Sequence, residues 1–562
     1  MSAEIIRPNR YKKTTRKKIE KQKKDFKYGQ VKKVNIKSKE IKNKNIKNSK
    51  TKKSIKLERT NTDPISVRLV KITFLVVALV LIGFISKRIV KLENFSLNVF
   101  SNKDENTNLV KNYYFNIALL NADTMDIYTT KNVVLNEIIK TTTPKLIDIN
   151  LDYTIKYNAA ENIQKIDDLN YLVKINSKSK VKPQEVIDSV NKIKGLSSKS
   201  PYYSNVKNIE SITSADNNSL NIKLLEKDPY LPYKLSFPIY NQNDDSKKIN
   251  NFEITDKASN SLTIVKNNSS SSLASVKVTN YTDTNSIIND FRDSKFDMFV
   301  VSTDSIMQQI GKHEYSIKKY KDGNTIFLLG NKNSALFSKK EVRQAIAYSI
   351  NRDQIIKNIN PSFSEVIDIP YIYSSVKYKY DIYGAQNILL SNGWKKSSST
   401  YSKVIDGINR NLELNLLINK DDKIKVQIAQ KISEMLKSNG ITLNIISLDK
   451  NAITQRVNSG DYDLVLADVY INDIPDIAML YSYININDNV NSKIEKINSV
   501  TTTDELQKAV DDLQVTISNE IACIGIMARN TNIVYQKNII GFDNTMYMNL
   551  FKDFENIGKS NN

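Results

Sequence analysis

Cysteine, histidine and tryptophan occur once each in the 562 residues of this chain, and glycine only 14 times. The single cysteine, Cys523, rules out an intramolecular disulfide and leaves no thiol near the N-terminus to carry a lipid. The single histidine, His313, sits in the polar run Gly311-Lys312-His313-Glu314-Tyr315. That scarcity argues against a zinc or iron centre of the usual type. It argues equally against Cys/His and Ser/His/Asp nucleophile systems. No glycine-rich phosphate loop is present. A hydrolase needs a nucleophile and a base, and neither is found, so the chain reads as a non-enzyme with no metal and no cofactor.

What is abundant is positive charge. Lys and Arg total 83 against 60 Asp and Glu, a net +23, and residues 1–66 hold 23 basic and 6 acidic side chains. This tail, with runs such as KKTTRKKIEKQKK and KSKEIKNKNIKNSK, has almost no aromatic or clustered apolar residues. It cannot bury enough surface to offset the entropy of ordering, and a disordered basic tail is expected. Basic residues near an anionic leaflet gain about 1 kcal/mol each. Topology plus leaflet contact is therefore the expected role. Without aromatic interleaving or a folded reader module, nucleic acid is not an expected partner.

The apolar run from Ile72 to Ser86 follows, charge-free over 15 residues and flanked by Arg68, Lys71, Lys87, Arg88 and Lys91. It is slightly short for a hydrocarbon layer of about 30 Å, but Lys71 and Lys87 can snorkel and lengthen the span. The charged region before it is far longer than a signal peptide allows, and no small-x-small cleavage site follows. An uncleaved signal-anchor helix over residues 67–90 is expected. The positive-inside rule then puts the tail in the cytoplasm and the rest outside the cell, at a single-pass membrane anchor. A large external domain without disulfides fits a bacterial surface.

Beyond a polar stalk (91–111) the pattern is mixed α/β, and the length calls for two or three lobes. Tyr114–Leu120 is strand-like and a helix is expected around Asn132–Thr142. Leu151–Tyr157 and Leu169–Ile175 alternate with period two. Pro183 near a helix start opens an apolar stripe through Val190. Ile209–Ala215 and Leu220–Leu225 form a strand pair about Asp216-Asn217-Asn218. Asn267–Ser272 reads as a loop. Ser275–Thr279, a helix over Asn285–Asp293 and Met298–Val301 form a βαβ-like unit. A helix is expected over 343–356, with Val342, Ala345, Ile346, Ser349 and Ile350 as core, Arg343 structural, and Trp394 packing a helix onto a sheet.

Five segments in fixed order carry a resemblance. Phe327–Asn331 precedes Val342-Arg343-Gln344-Ala345-Ile346-Ala347-Tyr348-Ser349-Ile350-Asn351-Arg352-Asp353. Then come Tyr383–Trp394, Ala429–Ile441 with its Asn439-Gly440-Ile441 end, and Gly460-Asp461-Tyr462-Asp463. Together they are similar to the family 5 solute-binding proteins of peptide ABC transporters, with Asn351 where that family usually has Asp. The resemblance implies a two-lobed periplasmic-binding-protein-like α/β fold of class II type with an extra N-terminal subdomain. Lobe I would hold residues 112–330 with the inserted subdomain, lobe II residues 331–515, and the chain would return to lobe I over 516–562. It implies a monomer that captures oligopeptides, or a nickel complex or sugar, and delivers them to permease subunits of an ABC transporter. Family members bind a peptide amine in a loop resembling W-x-x-D-x-x-D-P. Here Asp468-Val469-Tyr470-Ile471-Asn472-Asp473-Ile474-Pro475-Asp476 lacks the tryptophan, making Asp473 the best counterpart and Tyr470 a candidate aromatic wall. That departure keeps a second reading open, a surface sensor or structural protein that retained the fold without transport.

Overall fold

The structure is a computed structural model that describes residues 112–150, 152–239, 252–266, 273–301, 303–311, 314–371, 374, 376–541 and 556–560. The expected tail, apolar anchor and stalk (1–111), the loop 267–272 and His313 lie outside these residues. All the described residues belong to one compact unit that includes Asn108–Asn562. Among them no helix is long and apolar enough to cross a membrane.

Strand β1 (Tyr113–Leu120) leads to helix α1 (Val133–Thr142), whose N-cap Asn132 accepts the Leu135 amide at 3.0 Å. A small antiparallel sheet follows, made of β2 (Ala160–Lys165), β3 (Asn170–Ile175), β4 (Ile209–Asp216) and β5 (Ser219–Leu224) in the order β2-β3-β5-β4. Helix α2 (Pro183–Leu196) lies between β3 and β4 in the chain. Next come β6 (Phe252–Lys257), β7 (Ser261–Lys266), β8 (Leu273–Tyr281), α3 (Thr284–Arg292), β9 (Met298–Val301) and β10 (Tyr315–Gly330). Helices α4 (Lys340–Ser349), α5 (Arg352–Ile359) and α6 (Ile382–Ser391) precede β11 (Glu413–Asn419), α7 (Lys423–Ser438), β12 (Thr442–Leu448) and β13 (Leu464–Tyr470). Helix α8 (Thr503–Glu520) leads into β14 (Ile524–Gln536).

The largest sheet among the described residues runs β12-β11-β13-β10-β14-β9-β1-β8-β7-β6. β1 is parallel to both β8 and β9, while β10 is antiparallel to β13 and β14. Three hydrophobic clusters form among the described residues. One gathers residues from Tyr113 to Tyr320 together with Ile533, Ile539 and Ile557, the second Tyr153, Tyr230, Tyr233 and residues from Ile326 to Met527, and a smaller third packs around Phe291. β10 and β14 serve the first two. Tyr315–Lys321 pair with Asn530–Gln536, and Thr325–Leu328 with Ile524–Ala528. Between these stretches Asp322, Gly323 and Asn324 stand opposite Arg529 alone, a bulge that interrupts the ladder. Beyond it β10 enters the second core, where Ile326, Phe327, Leu328 and Leu329 are fully buried, as the continuous apolar run of a central strand requires.

The segments that carried the resemblance prove to be stitched together. Asn331 donates from its side-chain amide to the carbonyls of Gly460 and Tyr462, both at 2.9 Å, and its backbone N–H donates to Asp463 O at 2.8 Å. The Asp463 carboxylate in turn accepts the Asn415 amide at 2.8 Å, so this one residue, through its backbone carbonyl and its side chain, ties the end of β10 to β11. Asn439, fully buried, donates to Ser349 Oγ at 2.6 Å and accepts from Gln386 Nε2 at 2.9 Å, locking α4, α6 and the end of α7 together.

The helix expected over 343–356 is two helices, which corrects the sequence reading. α4 ends at Ser349, and Asn351 caps α5 by accepting the Gln354 amide at 3.0 Å. A side chain that accepts a backbone N–H at an N-cap starts a helix instead of continuing one, which a periodicity count does not register. The strand expected over Leu151–Tyr157 is likewise shorter. Tyr153 takes φ +60, and only Ile155–Tyr157 are extended. Arg343 is structural as expected. It is almost wholly buried, donating from Nε to Glu520 O at 2.9 Å and from Nη1 to Ser338 O at 2.7 Å. Trp394 is buried beside α6, with Lys403 Nζ 5.9 Å from its ring centroid.

Replacing Asn351 by Ala should remove the α5 cap and cost about 1 kcal/mol. Urea unfolding of the purified protein should show this as a lower midpoint at unchanged slope.

Candidate functional site

The two halves face each other where α1 and the segment 228–237 from the first meet the loop after β13 from the second. That second segment serves both cores: Leu231 and Leu235 pack into one, Tyr230 and Tyr233 into the other. Polar contacts complete the junction. Tyr230 and Tyr481 bring their hydroxyls to 3.1 Å, and the Tyr233 hydroxyl donates to Gln507 Oε1 at 3.1 Å. Lys234 reaches Asp228 at 2.7 Å and Asp476 at 3.3 Å.

Asp473 and Tyr470 are both at this junction. The Asp473 carboxylate is 3.3 Å from Lys140 Nζ, which is also 3.3 Å from Glu137 one turn back on α1. Burial by itself would lower the Lys140 pKa. The carboxylates of Asp473 and Glu137 outweigh it and hold the ammonium well above the ordinary lysine value. Asp473 therefore already has an ammonium partner supplied by the chain. Tyr470, 39% exposed, ends β13 opposite Asn324. Burial pushes its phenol pKa up, offset by Lys140 and reinforced by Asp473.

The bulge at Asp322–Asn324 packs directly on this loop. Gly323 has φ +86, and a Cβ there would lie 2.4 Å from Ile471 O and 2.9 Å from the Tyr470 ring. Its carbonyl accepts the Ile471 amide at 2.9 Å. Only a residue without a side chain fits so close an approach in the left-handed region. On the other face of the bulge a cavity of 420 Å³ opens at the carboxyl ends of β1 and β9, bounded by Leu119, Val134, Val300, Asp123, Asp322 and Thr531 among others. Among the described residues no group of three or more His, Cys, Asp or Glu side chains could hold a metal ion.

Sequence reading named Asp473 and Tyr470 as candidates and did not name Lys140, Asp322 or Gly323. Lys140 offered only an i,i+3 match to Glu137, which is common on exposed helix faces. Asp322-Gly323 was legible in principle. A D-G pair inside a strand pattern marks a bulge, and it separates the polar from the apolar half of β10.

A strand-linked pair of α/β halves with charged faces meeting beside a cavity is the architecture of a binding protein that closes over a solute. Residues 176–491 match the family described as bacterial extracellular solute-binding proteins, family 5 Middle, and the chain belongs to that family. The resemblance carried by 327–466 is thereby borne out. The oligopeptide-binding protein AppA of Bacillus subtilis (strain 168) is 24% identical over 162 residues, 27% of this chain. The match spans 30% of that relative's length. Among solved structures, the MppA periplasmic murein tripeptide binding protein in its unliganded open form gives a TM-score of 0.63 at 13% identity, over 81% of this chain and 98% of that one. A nickel ABC transporter structure from Bacillus halodurans gives 0.63 at 17% identity, over 78% and 98%. At such identities the likeness establishes the fold, mixed α/β and two-lobed.

Lys140→Met should destabilise the protein by about 1–2 kcal/mol, between the values for exposed and buried pairs. Because the folded-state pKa of Lys140 is raised, the pair's contribution is complete below the ordinary lysine value and is lost as pH rises through the folded one. The stability difference between wild type and Lys140→Met, from urea unfolding at a series of pH values, should be constant from neutral pH to about 10 and shrink above it.

Proposed function

We propose that this protein is a membrane-tethered extracellular solute-binding protein that captures oligopeptides, or a related small solute, by lobe closure and delivers them to an ABC transporter. Family membership supports solute binding. The observation that carries the closure mechanism is the strand pair β10–β14, which passes through both cores and whose widest interruption is at Asp322, Gly323 and Asn324. In this reading residues 112–330, with the small sheet as an inserted subdomain, and 516–562 make one lobe, and residues 331–515 the other. A ligand that contacts both lobes binds the closed form better and shifts the population toward it. An extended peptide is held through its backbone, with wet pockets tolerating varied side chains. Tyr470 is the aromatic wall of that site and Asp473 the carboxylate beside it. No chemistry on the solute is needed, so the protein is a binder and not an enzyme.

The apolar residues 67–90 are the tether, with the basic tail 1–66 on the cytoplasmic side against the anionic leaflet. A helical anchor keeps a monomeric binding domain near the permease subunits and raises its effective concentration there. The occupation of Asp473 by Lys140 favours one second reading, a surface sensor that kept the fold without transport.

Thermal unfolding of the full-length protein in detergent, with and without pooled peptides of two to eight residues, tests the reading. A ligand at 100 times its dissociation constant adds about 2.7 kcal/mol and raises the midpoint. No shift with any pool moves the assignment to another solute or to the sensor.

A further inference from the structure

Two carboxylates lie near the hinge, and they differ in one respect. Asp473 is neutralised by Lys140. Asp322, in the bulge itself, accepts the Asn324 amide at 3.0 Å, and among the described residues no lysine or arginine nitrogen lies within ion-pairing distance of it. Burial raises its pKa, and the Asn324 amide and the more distant Arg529 guanidinium only partly offset this. A carboxylate in that condition is short of positive charge.

Asp322 also borders the 420 Å³ cavity. Leu119, Leu120, Val133, Val134, Val300 and Ile306 make much of the wall apolar. Of the charged groups there, Asp123 is committed, with its oxygens accepting the Lys131 amide at 2.9 and 3.1 Å and the Thr130 hydroxyl at 3.1 Å. Lys131 is exposed, which leaves Asp322 as the uncommitted acid. The volume is at the low end of the range for small-molecule sites, about 300–1,000 Å³, enough for one end of a ligand but not for an extended oligopeptide. The position, at the carboxyl ends of parallel strands, is where open α/β sheets take their ligands.

We propose that Asp322 anchors the positively charged end of the solute, and that this cavity takes a compact ammonium group on an apolar body, such as the first residue of a short apolar peptide. This rests on the solute-binding reading and deepens it. Asp473 keeps its place in the contact between the lobes, and the incoming ammonium is received in the hinge.

Calorimetric titration of the full-length protein in detergent tests this with leucyl-leucinamide, its N-acetylated counterpart and the peptide pool. Leucyl-leucinamide should bind at least tenfold more tightly than the acetylated form. Asp322→Asn, which can still accept the Asn324 amide, should erase that difference without lowering the unfolding midpoint, and Asp473→Asn should preserve it. Equal affinity for the two probes in wild type overturns the proposal without using any variant. So does loss of discrimination in Asp473→Asn with retention in Asp322→Asn, which would put the ammonium at Asp473. Binding of the pool without either probe defeats the Asp322 assignment alone. Binding of nothing at all defeats the oligopeptide reading with it.

Discussion

Backbone hydrogen bonding between β10 and β14 is the constraint on which the rest of the molecule depends. Each strand enters both hydrophobic cores, so neither half can move without bending the pair. The bend has one natural place. At Asp322-Gly323-Asn324 the ladder lacks regular partners, and Gly323 tolerates a backbone conformation that other residues resist. β13 pairs with β10 from Asn324 to Gly330 and β9 with β14 from Asn532 to Tyr535, so each strand has a second partner over part of its length.

The same bulge is tied to the loop that follows β13. The Gly323 carbonyl accepts the Ile471 amide, and the Tyr470 ring lies against the glycine. Two residues further on, Asp473 meets Lys140 of the opposite half, and Lys234 spans Asp228 and Asp476 nearby. These pairs are partly exposed, so each contributes modestly. Together with the Tyr230–Tyr481 contact, and with Tyr153, Tyr230 and Tyr233 buried in the core of the other half, they hold the facing surfaces in one arrangement.

What the sequence made legible was scaffold. Asn331, Asn439 and Asp463 belong to the segments that carried the family resemblance, and each bonds across elements far apart in the chain. Their fixed order reflects a fixed set of buried hydrogen bonds, which is why the fold could be read from them. The site was less legible. Asp473 was named through its place in a loop pattern, but its ion-pair partner Lys140 is 333 residues away along the chain and carries no local signal. The break after Ser349 was missed because the apolar stripe continues across it from α4 into Ile355 and Ile356 of α5. Periodicity reports which face is buried. It does not report whether the backbone is continuous.

Cys523 shows how a scarce residue shapes what can be learned from a protein. It is fully buried just before β14, and burial pushes its thiol far from ionisation, so reagents that need a thiolate find none there. Pairs of cysteines placed on the exposed faces of the two halves would then be the reactive thiols of the folded domain. Spin labels or dyes on such pairs could follow the separation of the halves in solution, against a chemically silent background and with the native core left intact.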